Sequence, residues 1–198
     1  MFIKSLFNFL SKFHYDSIQK YSKNLQFKIM IDIGSHQGEF ISRFLNFKKI
    51  ETFYCFEPNK KLFKNLFKKY KNEKKVNVIE KAFGDKISIK KLFLSNLTYN
   101  STMSSFNKKS NYLKFKNLLL NDQKNRKYAS VKQDTFDNYF KKKNIKESFL
   151  KIDVEGYEYN VLKGSSKKIK DVKYLLIEEQ FSNQYQNNFQ KTFFNIFF

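Results

Sequence analysis

Short apolar runs of strand length alternate with amphipathic segments of helical length over most of the chain. The first pair is the run Lys28–Ile33 followed by Gln37–Phe47, in which apolar side chains recur at helical spacing. The second pair is Glu51–Glu57, followed by the chain's single proline, Pro58, and then Asn59–Tyr70. Such alternation predicts an α/β fold of the Rossmann-like, doubly wound type with a mainly parallel sheet.

The alternation continues towards the C-terminus. Further strands are predicted at Val76–Phe83, Lys86–Leu94, Tyr128–Lys132, Ser148–Asp153 and Val172–Glu178, the second of them as an antiparallel partner. Helices are predicted at Thr135–Lys142 and Tyr157–Leu162, the latter ending at Gly164. The polar connection Asn96–Lys127, with a short helix at Tyr112–Leu120, is expected to shape a pocket for a substrate.

The two ends of the chain differ from this central region. Residues 1–27 form a predicted helical segment, residues 28–179 the domain itself, and residues 180–198 a tail rich in Asn, Gln and Phe. Met1–Phe13 has apolar residues at helical spacing, which predicts a helix packed on the domain, with a membrane-surface helix as the alternative. No apolar run approaches the ~20 residues that a bilayer span needs.

The charge is strongly positive, with a formal net value of +21. Almost all of the excess is lysine spread along the chain, and Arg43 and Arg126 are the only arginines, which disfavours a nucleic-acid partner. We therefore attribute the charge to compositional bias, while a weak attraction to acidic polymers or anionic lipid stays open. The single cysteine, Cys55, cannot form an intrachain disulfide, so a reducing, cytoplasmic setting is expected.

A glycine-bearing turn follows the first predicted strand and carries the strongest local signal. It reads D-x-G-x-x-x-G, from Asp32 through Gly34 and Ser35 to Gly38. Glycines allow a sharp turn and close approach of a ligand, and the N–H groups at the start of the next helix suit an anionic group. The spacing differs from the G-x-G-x-x-G of dinucleotide enzymes, and an acid at the strand tip suits a cationic ligand.

Glu57 ends the second strand about twenty residues beyond Gly38. In Rossmann-type folds a carboxylate at this place holds ribose hydroxyls, and the alternative is an acid that caps the helix after Pro58. Together with the preceding turn, Glu57 indicates a nucleoside ligand without phosphates.

A third group of charged residues follows the buried strand Ser148–Asp153. If the chain stays extended, Lys151, Asp153 and Glu155 share one face of the sheet. Charged side chains next to a buried run are costly unless they are paired or used. The pattern therefore predicts a functional site, with a solvated strand end or a Lys–Asp ion pair as the alternative.

These segments together resemble the FkbM family of S-adenosylmethionine-dependent methyltransferases. The resemblance is carried by IDIGSHQGEF, FEPNKKLFKNL, QDTFDNYF and FLKIDVEGYEYNVLKGS followed by LLIEE, and it extends over about Lys28–Glu179. It implies S-adenosyl-L-methionine as cofactor and O-methylation of a hydroxyl on a sugar, glycan or secondary metabolite. Ser35 and His36 stand where Ala and Asn are common in the family. The family fold usually continues with a final hairpin after the fifth parallel strand, so either the tail takes the place of this hairpin or a shortened sheet is expected.

The resemblance also implies roles for individual residues. Asp32, Gly34, Ser35 and Gly38 would line the methionine side of the cofactor, Glu57 would hold its ribose, and Ala82 would lie near its adenine. Asp153 would face the sulfonium, and Asp153 or Glu155 would accept the hydroxyl proton. No metal site is predicted. The alternatives are a truncated, non-catalytic relative, a nicotinamide-dependent oxidoreductase and, from charge alone, a nucleic-acid-binding module.

Overall fold

The computed structural model describes residues 16–94 and 128–177. A helix at residues 16–22 (α1) precedes the strand β1, Ile29–Ile33. The next elements are α2, Glu39–Phe44; β2, Thr52–Phe56; α3, Lys60–Tyr70; β3, Val76–Ile79; β4, Ala82–Phe83; and β5, Ser88–Phe93. They are followed by β6, Tyr128–Asp134; α4, Phe136–Tyr139; β7, Ser148–Ile152; α5, Glu158–Lys163; a 3-10 turn, Lys168–Asp171; and β8, Tyr174–Ile177.

Five strands form a parallel sheet in the order β3-β2-β1-β7-β8. The central strand β1 pairs on both sides, with Asp32 opposite Cys55 of β2 and opposite Lys151 of β7. The chain moves outward from β1 in both directions, so the predicted doubly wound α/β architecture is confirmed. The carboxyl ends of β1, β2 and β7 consequently lie side by side, where open α/β sheets bind ligands.

Apolar side chains cover both faces of this sheet, because successive residues of a strand point to opposite sides. On one face, Met30 and Phe53 pack with Phe40 and Phe44 of α2 and with Leu66 of α3. The core of the other face is built mainly from aromatic and branched side chains: Ile31, Ile33, Phe56, Phe83, Phe136, Phe140, Leu150 and Ile152. Most of the phenylalanines within the described residues are thus core residues.

The predicted strand Val76–Phe83 is wrong as a single element. It divides into β3, in the main sheet, and β4, in a second sheet of order β4-β6-β5. A tight turn separates them, in which the Lys81 N–H donates to the Ile79 carbonyl at 3.0 Å. Ala82 then pairs with Gln133 of β6. The polar residues Glu80 and Lys81 lie at this turn, but the hydrophobic pattern alone does not show that the chain changes sheet there.

Two predicted helices are shorter in the structure. Gln37–Phe47 contains α2 at Glu39–Phe44 only, because Gly38 caps it in a left-handed conformation. Thr135–Lys142 contains the four-residue α4, which starts where the Thr135 side chain accepts from the Asn138 N–H. The antiparallel pairing predicted for the segment Lys86–Leu94 is confirmed, with β6 as its partner. The predictions for Met1–Phe13, Asn96–Lys127 and the tail lie outside the described residues.

Candidate active site

The turn after β1 depends on glycine at two positions. Gly34 has φ +90° and Gly38 has φ +75°, both in the left-handed region that side chains disfavour. A Cβ on Gly34 would lie 1.8 Å from the Asp153 carbonyl oxygen, so the turn packs directly on the chain that leaves β7. A Cβ on Gly38 would lie 2.7 Å from side-chain atoms of Leu66 and Tyr70, which brings α3 against the turn.

Protein oxygens already accept from several N–H groups of this turn. His36 N–H donates to Glu57 Oε2 at 2.9 Å, Gln37 N–H to Glu39 Oε2 at 3.1 Å, and Gly38 N–H to the Ser35 carbonyl at 2.7 Å. The expectation that the start of α2 offers unused donors to an anionic group is therefore wrong for these three residues. At Gln37, the Glu39 carboxylate is the acceptor where an anionic ligand group was expected.

His36 forms part of the same network. Its Nδ1 lies 3.1 Å from Glu39 Oε1. Burial lowers the pKa of the imidazole, but the hydrogen bond and the negative charge of Glu39, assisted by Glu57 and Asp153, outweigh burial and leave the pKa raised. His36 is therefore a structural partner of Glu39.

Asp32 is fully buried at the tip of β1, where Ser35 Oγ donates to its backbone carbonyl. Its Oδ1 lies 3.4 Å from Lys151 Nζ, and its Oδ2 has no hydrogen-bond partner among the described residues. Burial raises the pKa of this carboxyl, and the Lys151 charge opposes the rise. An unpartnered buried carboxylate oxygen is costly, which makes it a ready acceptor for a donor or cation that a ligand brings.

For Lys151 the sequence left two roles open, as part of a functional site or as the partner in a Lys–Asp ion pair. Its Nζ lies 2.8 Å from Asp153 Oδ2 as well as 3.4 Å from Asp32 Oδ1, and the side chain is only 5% exposed. It also lies 5.3 Å from the centre of the Phe40 ring. One ammonium therefore serves two carboxylates in a buried place. The signal in the sequence was a lysine inside the apolar run FLKI.

Glu57 reaches back over the turn. Its Oε2 accepts from His36 N–H, and its Oε1 accepts from Asn59 N–H at 2.8 Å. Burial raises the pKa of the Glu57 carboxyl to about 7, although both N–H donors and the His36 charge favour its ionised form. The proximity of Asp32 raises it further. The influence of Asp32 on this pKa places the two strand-tip carboxylates near each other, and the bond from Asn59 N–H gives Glu57 the role of ordering the start of α3.

The segment after β7 departs from the expected geometry. The strand ends at Ile152, and Glu155 has φ +54°, so the chain turns before Glu155 and the shared face predicted for Lys151, Asp153 and Glu155 holds only for the first two. Asp153 N–H donates to the Ile33 carbonyl at 3.0 Å, which continues the sheet for one residue beyond β7. Asp153 therefore lies beside Gly34 and Lys151.

Glu158 holds the turn around Glu155 in place. Its Oε1 accepts from the N–H groups of Val154 at 3.0 Å and Gly156 at 3.1 Å. Burial is the largest influence on the Glu158 carboxyl and raises its pKa. Glu158 was not among the predicted site residues, and its position just after the glycine was the signal for this role.

Ala82 lies in the second sheet, beyond the tip of β3, and is buried. Close to it, Lys81 Nζ pairs with Asp134 Oδ2 at 2.9 Å, and Asp134 Oδ1 accepts from Thr135 N–H and Asn138 Nδ2. Burial favours the neutral form of Asp134, but the Lys81 hydrogen bond and the two amide donors outweigh it and lower the pKa. The pair anchors β6 to the turn that follows β3.

The family model of the methyltransferase FkbM domain matches residues 32–197, which is most of the chain. The chain belongs to this family. A solved structure titled as methyltransferase FkbM from Methylobacillus flagellatus KT is similar to it, with 17% sequence identity and a TM-score of 0.47. The similarity covers 77% of this FkbM chain and 32% of the solved one, so the chain spans about a third of that protein's length. No curated protein matches the sequence significantly.

Two features are absent from the described ranges 16–94 and 128–177 of this FkbM domain. No helix there is long and apolar enough to span a bilayer. No group of three or more His, Cys, Asp or Glu side chains in those ranges could hold a metal ion.

Proposed function

We propose that the chain is an S-adenosyl-L-methionine-dependent methyltransferase that methylates a hydroxyl group of a sugar, glycan or secondary metabolite. The observation that carries the proposal is the Asp32 carboxylate, buried at a strand tip with one oxygen unpartnered, beside the Gly34 turn and near Glu57 and Asp153. Membership of the FkbM methyltransferase family supports the same activity.

The residues fit the cofactor in charge. The methionine part of S-adenosyl-L-methionine has an ammonium and a sulfonium, and the buried oxygen of Asp32 accepts a donor or attracts a cation. Asp32, Gly34, Ser35 and Gly38 would line the methionine side, Glu57 would accept from the ribose hydroxyls, and Ala82 would lie near the adenine. A phosphate-bearing dinucleotide fits this acidic site less well. The bound cofactor supplies a methyl group already activated by its positive sulfur.

The protein's own task in such a transfer is mainly positioning. The acceptor oxygen must lie in line with the methyl carbon and the sulfur, and holding that line accounts for much of the acceleration. The rigid contact of the Gly34 turn with Asp153 fixes the floor of the site. A carboxylate then takes the hydroxyl proton, and Asp153 and Glu155 are the two proposed acceptors.

Thermal unfolding with candidate ligands separates this function from its alternatives. We expect S-adenosylhomocysteine to raise the melting temperature, because a ligand that binds only the folded state stabilises it. NAD⁺ at the same concentration should leave the melting temperature unchanged. Stabilisation by NAD⁺ alone would favour the oxidoreductase, and a response to neither ligand in a cooperatively folded sample would favour a non-catalytic relative.

Glu57 makes cofactor affinity depend on pH. With a pKa of about 7, the carboxyl is about one-tenth ionised at pH 6 and about nine-tenths ionised at pH 8, and the ionised form accepts better from ribose hydroxyls. We expect the affinity for S-adenosylhomocysteine to rise about tenfold between these two values. Glu57→Gln should bind more weakly and with a flatter pH profile. An unchanged profile in this variant would remove Glu57 from the ribose site.

The proton acceptor is identified by comparing Asp153→Asn with Glu155→Gln. Loss of a general base costs a factor of about 10² to 10⁴ in turnover, and an isosteric amide keeps the shape of the site. The variant of the true acceptor should lose turnover while retaining its affinity for S-adenosylhomocysteine. Full turnover in both variants would exclude both carboxylates from this role.

A further inference from the structure

One surface of the domain is far more basic than the chain as a whole. Eight lysines lie between positions 60 and 75, and Glu73 is the only acid in that stretch. The lysines at the start, middle and end of α3 are exposed. None of the eight lysines forms an ion pair with a described residue. Half of this stretch is lysine, whereas lysine makes up about a fifth of the whole sequence.

The geometry of α3 orders these lysines into a stripe. Leu66 and Tyr70 face the core, and positions 60, 64, 68 and 71 follow each other on the opposite side at helical spacing. The helix is held at its start by Asn59, whose side chain accepts from the Lys61 and Leu62 N–H groups. We call the exposed residues Lys60, Lys61, Lys64, Lys68 and Lys71 the lysine stripe.

An exposed aromatic pair borders the lysine stripe. Phe67 is 54% exposed although it lies on a regular helix, and its ring centre is 6.0 Å from that of Phe63, one turn earlier. The order around the helix is therefore core residues, the two phenylalanines and then the lysines. Helices that lie in the plane of a membrane surface have this order, with apolar rings reaching below the lipid headgroups and ammonium groups at their level.

We propose that the α3 surface, formed by the lysine stripe with Phe63 and Phe67, docks the protein on anionic phospholipid. Each lysine near such a surface strengthens binding about fivefold, so five of them supply a substantial attraction, and the phenylalanines add apolar burial. Nucleic acid is less well matched, because the surface is a convex helix with no arginine for bidentate contacts. The proposal does not depend on the methyltransferase function.

A tryptophan reporter tests the docking directly, since the protein has no Trp of its own. Phe67→Trp should shift its emission to shorter wavelength with vesicles containing phosphatidylglycerol, and lipid with brominated chains should quench it. Phosphatidylcholine vesicles should have no effect. Ile89→Trp is the matched control, because Ile89 is 74% exposed but lies on β5 of the second sheet, so its emission should stay unchanged.

The lysine requirement is tested by removing three charges from one surface at a time. Lys60→Gln, Lys64→Gln and Lys68→Gln together should weaken sedimentation with phosphatidylglycerol vesicles about a hundredfold. The control triple, Lys141→Gln, Lys142→Gln and Lys146→Gln, removes the same charge from exposed positions before β7 and should weaken it much less. Lys69 is left intact because its Nζ donates to the Gln37 carbonyl of the cofactor turn.

Three results would overturn the proposal. An equal loss of vesicle binding in the two triple-lysine variants would mean that net charge alone drives the binding. A shift in the tryptophan emission of the Ile89→Trp variant, without one in the Phe67→Trp variant, would place the membrane contact on the second sheet. Tight binding of single-stranded RNA that the α3 triple abolishes, without any response to vesicles, would make the surface a nucleic-acid site. Retained affinity for S-adenosylhomocysteine in every variant keeps these outcomes separate from the proposed activity.

Discussion

Replacing Gly34 by alanine should destabilise the protein by about 4 kcal/mol or more and abolish cofactor binding. The added Cβ would lie 1.8 Å from the Asp153 carbonyl oxygen and 2.9 Å from its carbon, both of which are backbone atoms that cannot rotate away. The φ of +90° adds backbone strain for any side chain. The turn and the chain after β7 would have to separate, which opens the site. Chemical denaturation and calorimetric titration measure the two effects.

Gly38→Ala is the graded comparison for this variant. Its Cβ would meet Leu66 Cδ1 and Tyr70 Cε2 at 2.7 Å, which are side-chain atoms able to shift slightly. The loss of stability should therefore be smaller than for Gly34→Ala. If Gly34→Ala unfolds at the same denaturant concentration as the wild type, the close contact between the turn and Asp153 is absent from the protein.

Replacing Lys151 by methionine should cost about 3–5 kcal/mol, the range for breaking a buried ion pair by removing one partner. The Asp32 carboxylate would remain buried, and that of Asp153 partly buried, without the ammonium that now lies 3.4 Å and 2.8 Å from them. Lys151→Met together with Asp153→Asn should recover part of the loss, because one uncompensated charge is then also removed. Urea denaturation of the three proteins measures this.

The cost of Lys151→Met should also depend on pH. Burial already raises the pKa of Asp32 in the folded protein, and losing the opposing charge of Lys151 raises it further. A carboxyl whose folded pKa is raised loses stability as pH increases from its unfolded value through its folded value. The variant should consequently be closest to the wild type at acidic pH and furthest from it at neutral pH.

Lys168→Met is the matched control for Lys151→Met. Lys168 pairs with Asp171 at 2.7 Å, but both side chains are partly exposed at the surface. Exposed ion pairs contribute about 0–1 kcal/mol, so this change should have little effect at any pH. Equal losses in Lys168→Met and Lys151→Met would contradict the structural role given to Lys151.

The main sheet was readable from the sequence because its strands are buried on both faces. The runs ending at Ile33, Glu57 and Asp153 are nearly continuous apolar segments, and the helix between Asn59 and Tyr70 has a clear apolar stripe. The near-continuous apolar strands and the helical apolar stripe determine both the element types and their alternation. The doubly wound architecture follows from them together with the right-handedness of crossover connections.

The errors occurred where tertiary contacts decide the local conformation. The change of sheet at Lys81 depends on β6, which lies about fifty residues further along the chain. The left-handed Glu155 depends on Glu158 holding the N–H groups of Val154 and Gly156. These interactions leave no hydrophobic period in the sequence, so the pattern predicts an extended strand at both places. Residue spacing likewise does not predict that the Glu39 carboxylate accepts from the Gln37 N–H of the turn.

The candidate site was predicted by residue type more than by arrangement. Asp32 and Glu57 were identified because acids at strand tips interrupt apolar runs, and the shared edge of the sheet brings them together. The bridging place of Lys151 between two carboxylates required the register of β1 against β7, in which Asp32 lies opposite Lys151. That register is set by long-range pairing, and the sequence does not state it.

Calorimetric titration with S-adenosylhomocysteine, comparing the wild type with Asp32→Asn, tests whether the buried carboxylate binds the cofactor. We expect one binding site in the wild type and a loss of affinity of at least about tenfold in a folded Asp32→Asn, because the buried carboxylate would no longer accept from the ligand's ammonium. Binding of equal strength in both proteins, or no heat from a folded wild type, would contradict it.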